Sequence, residues 1–185
     1  MSAAAAPALL ATERLWLRRM ERRDVAVLVA YRNDPEVARY QGWTSCSVED
    51  AEAMLAHQAS LEPGTPGAWF RWMLEEKATG GVIGDVAMCV ERDDERQARV
   101  GFTLAREHQR RGFAGEAVRA LLGWAFGELG LHRVVAITDA RNAAAAALLG
   151  RVGFRREAHF IQNAWYKGAW GDELLFAMLR SEWRS

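Results

Sequence analysis

The sequence predicts one domain of mixed α/β class, with a central, mostly antiparallel sheet flanked by helices. Three observations predict it. Strand-like runs in the first half of the chain are joined by short polar or glycine-containing connectors, which favour antiparallel hairpins. The apolar spacing then changes to a helical period near residue 112, and strands alternate with helices before a final pair of strands. The 185 residues, half of them apolar, suit a single globular domain.

Seven runs have the length and the apolar content of β-strands. The connectors at residues 79–81 and 92–95 are short, so the strands that flank them are expected to pair as hairpins. The run at residues 133–138 has an unbroken apolar centre, which is typical of a buried strand. The predicted strands are residues 14–20, 69–76, 82–91, 98–104, 133–138, 154–161 and 172–179.

Helix start and stop signals occur between these runs. Ser47, with Asp50 three residues later, resembles a capping box, and Pro35 suits the first turn of a helix. Gly130 and Gly153 follow periodic apolar segments, as glycines often do where helices end. The predicted helices are residues 24–32 with Asp24 as the cap, a short one from residue 35, 48–60, 112–129, and 142–152 with Asn142 as the cap.

The composition argues against several classes of protein. Lys and Arg number 24, as do Asp and Glu, so the net charge is zero, whereas general nucleic-acid and membrane-surface binders need excess positive charge. No apolar run approaches the ~20 residues that cross a bilayer. Cys46 and Cys89 lack the spacing of a disulfide framework or a zinc site, so we expect no metal and a cytoplasmic location. We expect residues 1–11 to be a disordered or frayed tail and residues 12–185 to form the domain.

The segment between the predicted strand 98–104 and the following helix carries the most chemical information. A helix N-terminus has unpaired N–H groups and a partial positive charge, so it accepts phosphate groups. Gly112 allows close approach to the backbone, and Ala114 and Gly115 keep side chains out of the way. Arg106, Arg110 and Arg111 add positive charge for a polyanionic cofactor. On the turn alone, an ordinary surface helix with solvated arginines is the stronger interpretation, and the rest of the pattern changes that weighting.

The pattern Gln-x-x-Gly-x-Ala at residues 109–114, between a strand and a helix, resembles the acetyl-CoA motif of the GNAT N-acetyltransferase superfamily. Asn142 opens the next helix after the following strand, and that helix ends in Val-Gly-Phe-Arg at residues 152–155. Residues 31–37 resemble the early helical segment of the RimJ/RimL-like branch, and residues 167–173 resemble its final hairpin. The resemblance covers nearly the whole chain.

The resemblance implies a GNAT fold with acetyl-CoA as co-substrate. Two parallel strands, residues 98–104 and 133–138, would splay apart, and the pantetheine arm would pair with the backbone at the end of the first. The N–H groups of the turn would hold the pyrophosphate, and Asn142 would contact the pantetheine or order its loop. An amine then attacks the thioester directly. The residues predicted to bind acetyl-CoA are Phe102, Thr103, Leu104, Gln109, Arg110, Arg111, Gly112, Phe113, Ala114, Gly115 and Asn142.

The helix that follows Asn142 departs from the family pattern. Family members often have a Ser or Tyr there near the thiol, whereas residues 143–147 are all alanine. Tyr166 could donate the proton instead, and Asp85, which follows Gly84 on a predicted strand, is a candidate for the base that deprotonates the amine. The structural alternatives are a solvent-facing position for Asp85 and a place in the cleft wall for Tyr166.

The acceptor stays open between a peptide N-terminal amine and a small-molecule amine, because the RimJ/RimL-like branch includes both. A non-catalytic acyl-CoA-binding module, favoured by the missing hydroxyl, and an acyltransferase for a larger acyl-CoA are the alternative functions. Relatives are often dimers, so a homodimer is a further expectation. We expect neither a nucleic-acid partner nor a membrane partner.

Overall fold

The computed structural model describes residues 10–184, which form one eight-stranded sheet flanked by helices. The strands are β1 (Leu10–Ala11), β2 (Leu15–Arg18), β3 (Trp69–Glu76), β4 (Val82–Val90), β5 (Gln97–Leu104), β6 (Arg133–Asp139), β7 (Arg155–Tyr166) and β8 (Ala169–Leu179). Their order across the sheet is β1-β2-β3-β4-β5-β6-β8-β7, and β5 and β6 are its parallel pair among otherwise antiparallel neighbours. The predicted fold class is confirmed.

The sheet has one strand more than predicted. Leu10–Ala11 pairs with β2, so the prediction of a frayed tail is wrong for these two residues; the rest of that tail, residues 1–9, lies outside the described residues. β7 and β8 are both longer than predicted and meet at a turn formed by Lys167 and Gly168. Most of β7 is exposed on both faces, so its sequence lacks the apolar alternation that marks a half-buried strand.

The α-helices within residues 10–184 are α1 (Val25–Arg32), α2 (Pro35–Ala38), α3 (Val48–Ala59), α4 (Phe113–Gly127) and α5 (Ala143–Val152). As predicted, Pro35 opens α2, and α3 begins with a capping box in which Ser47 and Asp50 each accept a hydrogen bond from the other's backbone N–H. Asp24 does not cap α1 with its side chain, because its carboxylate pairs with Arg18 instead.

The helices cover both faces of the sheet. Along β3, Trp72 and Leu74 belong to the main core, which α4 and α5 complete. Met73 between them points to the opposite face and packs in a second cluster with Leu28 of α1. The Phe70 ring packs edge-on against Trp72, with 4.6 Å between the ring centroids. Helices on both sides therefore hold the sheet in place.

β5 and β6 diverge after a short contact. Their parallel register covers residues 97–99 of β5 and 133–135 of β6. Beyond it, β5 stays paired with β4 through residue 104, and β6 stays paired with β8 through residue 139. Because each strand follows a different neighbour, a gap opens between their carboxyl ends, as the family resemblance implies.

The close approach of β4 and β5 beside this gap depends on Gly84. The register between β3 and β4 shifts at Leu74/Glu75, opposite this glycine, and the φ angle of Gly84 is +155°. A Cβ atom there would lie 2.2 Å from the carbonyl oxygen of Thr103. Any other residue type would force β5 away from β4.

We expect Gly84→Ala to lower the free energy of unfolding by about 2–4 kcal/mol, because the added methyl group meets the Thr103 carbonyl and the φ angle disfavours a side chain. Urea denaturation followed by circular dichroism measures the change. The control is Gly101→Ala on β5, whose Cβ position has no atom within 4 Å beyond its chain neighbours. Equal stability of the two variants would contradict this account of the β4–β5 contact.

Candidate functional site

The end of β5 presents a free backbone edge to the gap. The N–H of Ala105 donates to the Ile83 carbonyl of β4 over 2.9 Å. Because backbone groups alternate along a strand, Leu104 and Phe102 direct their N–H and C=O groups to the other edge, where pairing with β6 has ended. The Leu104 carbonyl accepts a hydrogen bond from Gln109 Nε2 over 3.0 Å, which ties the following turn to the strand. Thr103 lies between them, and its backbone faces Asp85 of β4.

The turn that follows presents a group of unpaired donors. Arg110 and Gly112 adopt φ angles of +61° and +85°, and α4 begins at Phe113. The backbone N–H groups of residues 110–115 have no acceptor within residues 10–184. Glu116 is the first to bond back along the helix, to the Gly112 carbonyl over 3.1 Å. Together with the positive end of the α4 dipole, these donors form a site suited to an anion.

Arg14, from the other end of the chain, holds this turn. Its guanidinium donates to the Arg111 carbonyl over 3.0 Å and pairs with Glu116 at 2.6 Å. It also lies over the Phe113 ring, 4.4 Å from the centroid. Burial raises the pKa of Glu116, but hydrogen bonds from Thr12 and Arg14 outweigh it and lower the pKa, so the carboxylate stays charged. Arg14 and Glu116 were not predicted as site residues, because no local sequence pattern joins residues 102 positions apart.

The three arginines predicted to add charge here differ, since Arg106 and Arg110 are exposed and Arg111 is engaged within the protein. Arg111 donates to Glu76 over 3.3 Å, and its guanidinium lies over the Phe113 ring, so it is engaged within the protein. Arg110 is exposed, and its side chain has no hydrogen-bond or ion-pair partner among the described residues. Arg110 is therefore a cation that this turn can offer to a ligand, and the exposed Arg106 before the turn is another.

Asn142 lies at the other side of the gap, where α5 follows β6. Its Oδ1 accepts from the Ala145 N–H over 3.1 Å, so it caps α5 as predicted. The first turn of α5 consists of alanines and carries no hydroxyl group. Asn142 caps the helix that follows β6, and the carboxyl end of β6 lies across the gap from the free edge of β5.

Asp85 is buried under the sheet face that carries α1. It is 1% exposed, and its two carboxylate oxygens accept from the Tyr31 hydroxyl and the Arg71 guanidinium. Burial raises the pKa of Tyr31 well above its ordinary value, and the neighbouring charge of Asp85 raises it further. The predicted candidate for the base is thus engaged by two donors and lies away from solvent.

Tyr166 reaches from β7 to the end of β6, where its hydroxyl donates to Asp139. The ring passes over Gly171 of β8, where a Cβ atom would lie 2.7 Å from the Tyr166 oxygen. Burial raises the pKa of Asp139, but hydrogen bonds from Arg141 and Tyr166 hold it at about 2. Burial and the bond to Asp139 raise the pKa of Tyr166, so its hydroxyl stays protonated. The sequence analysis missed Asp139, although a carboxylate at the end of a buried strand was a signal.

Other titratable side chains of the chain lie at scattered positions. His159 pairs with Asp172 at 3.1 Å, and Glu157 is engaged by two arginines. His108 lies 3.3 Å from an Arg111 nitrogen, on the turn. Within residues 10–184, no three His, Cys, Asp or Glu side chains cluster closely enough to hold a metal ion. None of the helices in that range combines the length and the apolar character that a membrane crossing requires.

Known proteins share this arrangement. A family model described as an acetyltransferase (GNAT) domain matches residues 14–155. An uncharacterised N-acetyltransferase of Bacillus licheniformis, p20, is 34% identical over 175 residues, which span 93% of this chain and 96% of that relative. Mycobacterium smegmatis RimJ, solved in complex with CoA-disulfide, superposes with a TM-score of 0.84 at 23% identity, covering 97% of this chain and 90% of its own. Vibrio cholerae spermidine N-acetyltransferase, solved with CoA and spermine, gives a TM-score of 0.80 at 24% identity, covering 92% and 98%. The resemblance read from the sequence is confirmed: the chain belongs to the GNAT acetyltransferase superfamily and is an N-acetyltransferase.

Proposed function

We propose that the protein transfers the acetyl group of acetyl-CoA to a primary amine, at a protein N-terminus or on a small molecule. The observation that carries this proposal is the free edge of β5 running directly into the unpaired N–H groups of residues 110–115. Two structural neighbours support it, since one was solved with CoA-disulfide and the other with CoA and an amine, spermine. RimJ and a spermidine acetyltransferase both resemble the chain, so this resemblance does not choose between a protein N-terminus and a small-molecule amine as the acceptor.

The residues of the gap fit the parts of CoA in order. The backbone of Phe102 and Leu104 hydrogen-bonds the pantetheine amides, as it would an additional β-strand. Thr103 pairs with β4 and so holds this edge of β5 in position. The N–H groups from Arg110 to Gly115 take the diphosphate. The Arg110 side chain adds a charge, while Gln109 and Phe113 fix the two ends of the turn. Asn142 holds the opposite rim of the gap.

The chemistry follows from these positions. Acetyl-CoA supplies a thioester, and an amine that has lost its proton attacks it. The N–H of Leu104, at the end of the free edge, is positioned to donate to the carbonyl oxygen as negative charge develops there. Cys46 and Cys89 are both buried, which supports direct transfer without an acyl-cysteine. Asp85 serves to anchor α1 through Tyr31, because both its oxygens are engaged.

Tyr166 takes the place of the hydroxyl that α5 lacks. Its oxygen lies at the carboxyl end of β6, just ahead of the segment that leads to Asn142 and α5. The raised pKa keeps Tyr166 protonated at neutral pH, and when its O–H turns from Asp139 toward the thioester sulfur it can donate that proton to the departing thiolate. Asp139 orients the hydroxyl and stays bonded to Arg141.

The function itself is tested by thiol release from acetyl-CoA. We expect release above the rate of hydrolysis with at least one member of a panel of peptides with varied N-termini and small amines. Mass spectrometry of the acceptor confirms the added acetyl group. CoA binding without turnover over the whole panel would contradict the proposal.

The diphosphate site is tested at Gly115, whose Cβ position faces open space. We expect Gly115→Asp to bind CoA at least about tenfold more weakly than Gly115→Asn, because only the carboxylate repels the diphosphate. An acid in the first turn favours the helix, so the melting temperature of the Asp variant should match or exceed that of the Asn variant. Calorimetric titration and thermal unfolding measure the two effects. Equal CoA affinities for the two variants would contradict the proposal that the diphosphate binds at this turn.

The proton donor is tested with Tyr166→Phe. We expect kcat to fall roughly 10- to 100-fold while the Kd for CoA stays unchanged, since the ring remains and only the donor is lost. Tyr40→Phe is the control, because the Tyr40 hydroxyl has no hydrogen-bond partner among the described residues. Stopped-flow detection of the free thiol gives kcat. A kcat equal to that of the control would exclude Tyr166 as the donor.

A further inference from the structure

A second cavity lies beside α1 and α3, on the face of the sheet opposite α4. Its volume is about 500 Å³, which is enough for a ligand the size of an amino acid side chain or a small metabolite. The loop between α2 and α3 forms one wall, and one face of α3, from Asp50 to His57, forms the other. The side chains that matter here are Arg32, Trp43, Cys46, Asp50, Met54 and His57.

Arg32 at the end of α1 is a buried cation without a counter-charge. It is 4% exposed, its Nε has no hydrogen-bond partner, and no carboxylate within residues 10–184 comes within 4.0 Å of its guanidinium. The other deeply buried arginine near α1, Arg18, has a bidentate contact with Asp24. An arginine keeps its charge when buried, so an unpaired one costs the folded protein free energy. A charge kept in such a place points to a ligand that pairs with it.

Trp43 holds the guanidinium in position. Its ring lies 4.2 Å from the Arg32 Cζ, and its indole N–H donates to the Arg32 carbonyl over 3.2 Å. The Trp43 ring covers one face of the Arg32 guanidinium, and its N–H fixes the Arg32 backbone. The edge of the planar guanidinium is the surface that remains for a ligand. Paired N–H donors along such an edge match the two oxygens of a carboxylate.

We propose that Arg32 binds a carboxylate carried by the acceptor amine. This inference rests on the proposed function and specifies its acceptor as an amine that also bears one carboxylate, on a free amino acid or on an acidic residue next to a peptide N-terminus. Arg32 thus determines specificity and takes no part in the proton transfers.

Asp50 limits what the cavity accepts. It lines the same space, and bonds from Ser47 lower its pKa, so it adds a negative charge opposite Arg32. One carboxylate on the ligand satisfies Arg32 without strong repulsion from Asp50, whereas a polyphosphate would meet that repulsion. A polyamine would place ammonium groups against the unpaired guanidinium.

Two contacts connect the cavity with the gap between β5 and β6. Tyr31, adjacent to Arg32, donates to Asp85, which lies opposite Thr103 in the β4–β5 register. Lys167, at the turn between β7 and β8, donates to the Ala38 carbonyl at the end of α2. The end of α1 therefore lies over the end of β5, and α2 is joined to the hairpin that carries Tyr166.

The test uses acceptors that differ only in charge. Peptides identical except for Glu or Gln at the second position, and free amino acids with their amides, are compared by kcat/KM. We expect the carboxylate member of at least one kind of pair to have a KM at least about tenfold lower, and Arg32→Met to remove the difference. Arg22→Met, which removes an exposed cation near α3, is the matched control and should keep the preference.

A second measurement separates recognition from folding. Arg32→Met removes an unpaired buried charge and keeps a side chain against Trp43, so the melting temperature without ligand should stay equal or rise. A lower melting temperature together with an unchanged carboxylate preference would make Arg32 a structural residue and overturn the inference. Turnover of all acceptors without any carboxylate preference would overturn it as well, while leaving the proposed function intact.

Absence of turnover with every acceptor would count against the proposed function instead. In that case the inference is decided by calorimetric binding of N-acetylated Glu and Gln peptides and of N-acetylated amino acids and their amides. Tighter binding of a carboxylate member that is lost in Arg32→Met supports the site, and equal binding within both kinds of pair refutes it.

Discussion

The parallel contact between β5 and β6 is only three residues long, and the arrangement of the site depends on what pulls the strands apart. β5 follows β4 to its end, where Gly84 allows the backbones to meet, and β6 follows β8 on its other side. Neither strand can close the gap without breaking a longer antiparallel ladder. A free strand edge is normally a liability in a protein, and here it is kept inside the sheet, where only a narrow ligand can reach it.

The turn after β5 needs a second constraint, because unpaired N–H groups and a residue with positive φ do not order themselves. Arg14 supplies it by bonding the Arg111 carbonyl and pairing with Glu116. A carboxylate in the first turn favours the helix but would repel a diphosphate. Pairing with Arg14 leaves Glu116 able to stabilise the helix N-terminus but reduces its repulsion of a diphosphate. The turn is therefore ordered and still attracts anions.

Local signals in the sequence predicted the parts of the fold that are themselves local. The strand, turn and helix from residue 98 to 127 follow from apolar spacing and from Gly112, and the capping box of α3 follows from two side chains. The two-residue β1 and the exposed ends of β7 and β8 carry no periodic signal. The contacts that shape the site join residues far apart, such as Tyr166 with Asp139. The burial of Arg32 could not be predicted from residue spacing, because the residues around it belong to another helix and to a loop.

The zero net charge of the chain conceals how charge is distributed around the gap. The buried or partly buried acids near it are each engaged by a cation within the protein, whereas Arg32, Arg106 and Arg110 lack a hydrogen-bond or ion-pair partner among the described residues. Because opposite charges cancel locally in the paired sets, the field that a ligand meets is set by the unpaired cations and the helix N-terminus. Arg110 is exposed on the turn, where the proposed diphosphate would keep its solvent contact, and Arg32 is buried, where the proposed ligand is a smaller, singly charged group. The composition argued against a general polyanion binder, and the two proposed anion positions are separate and small, which agrees with that limit. The paired acids are Glu76, Asp85, Glu116 and Asp139.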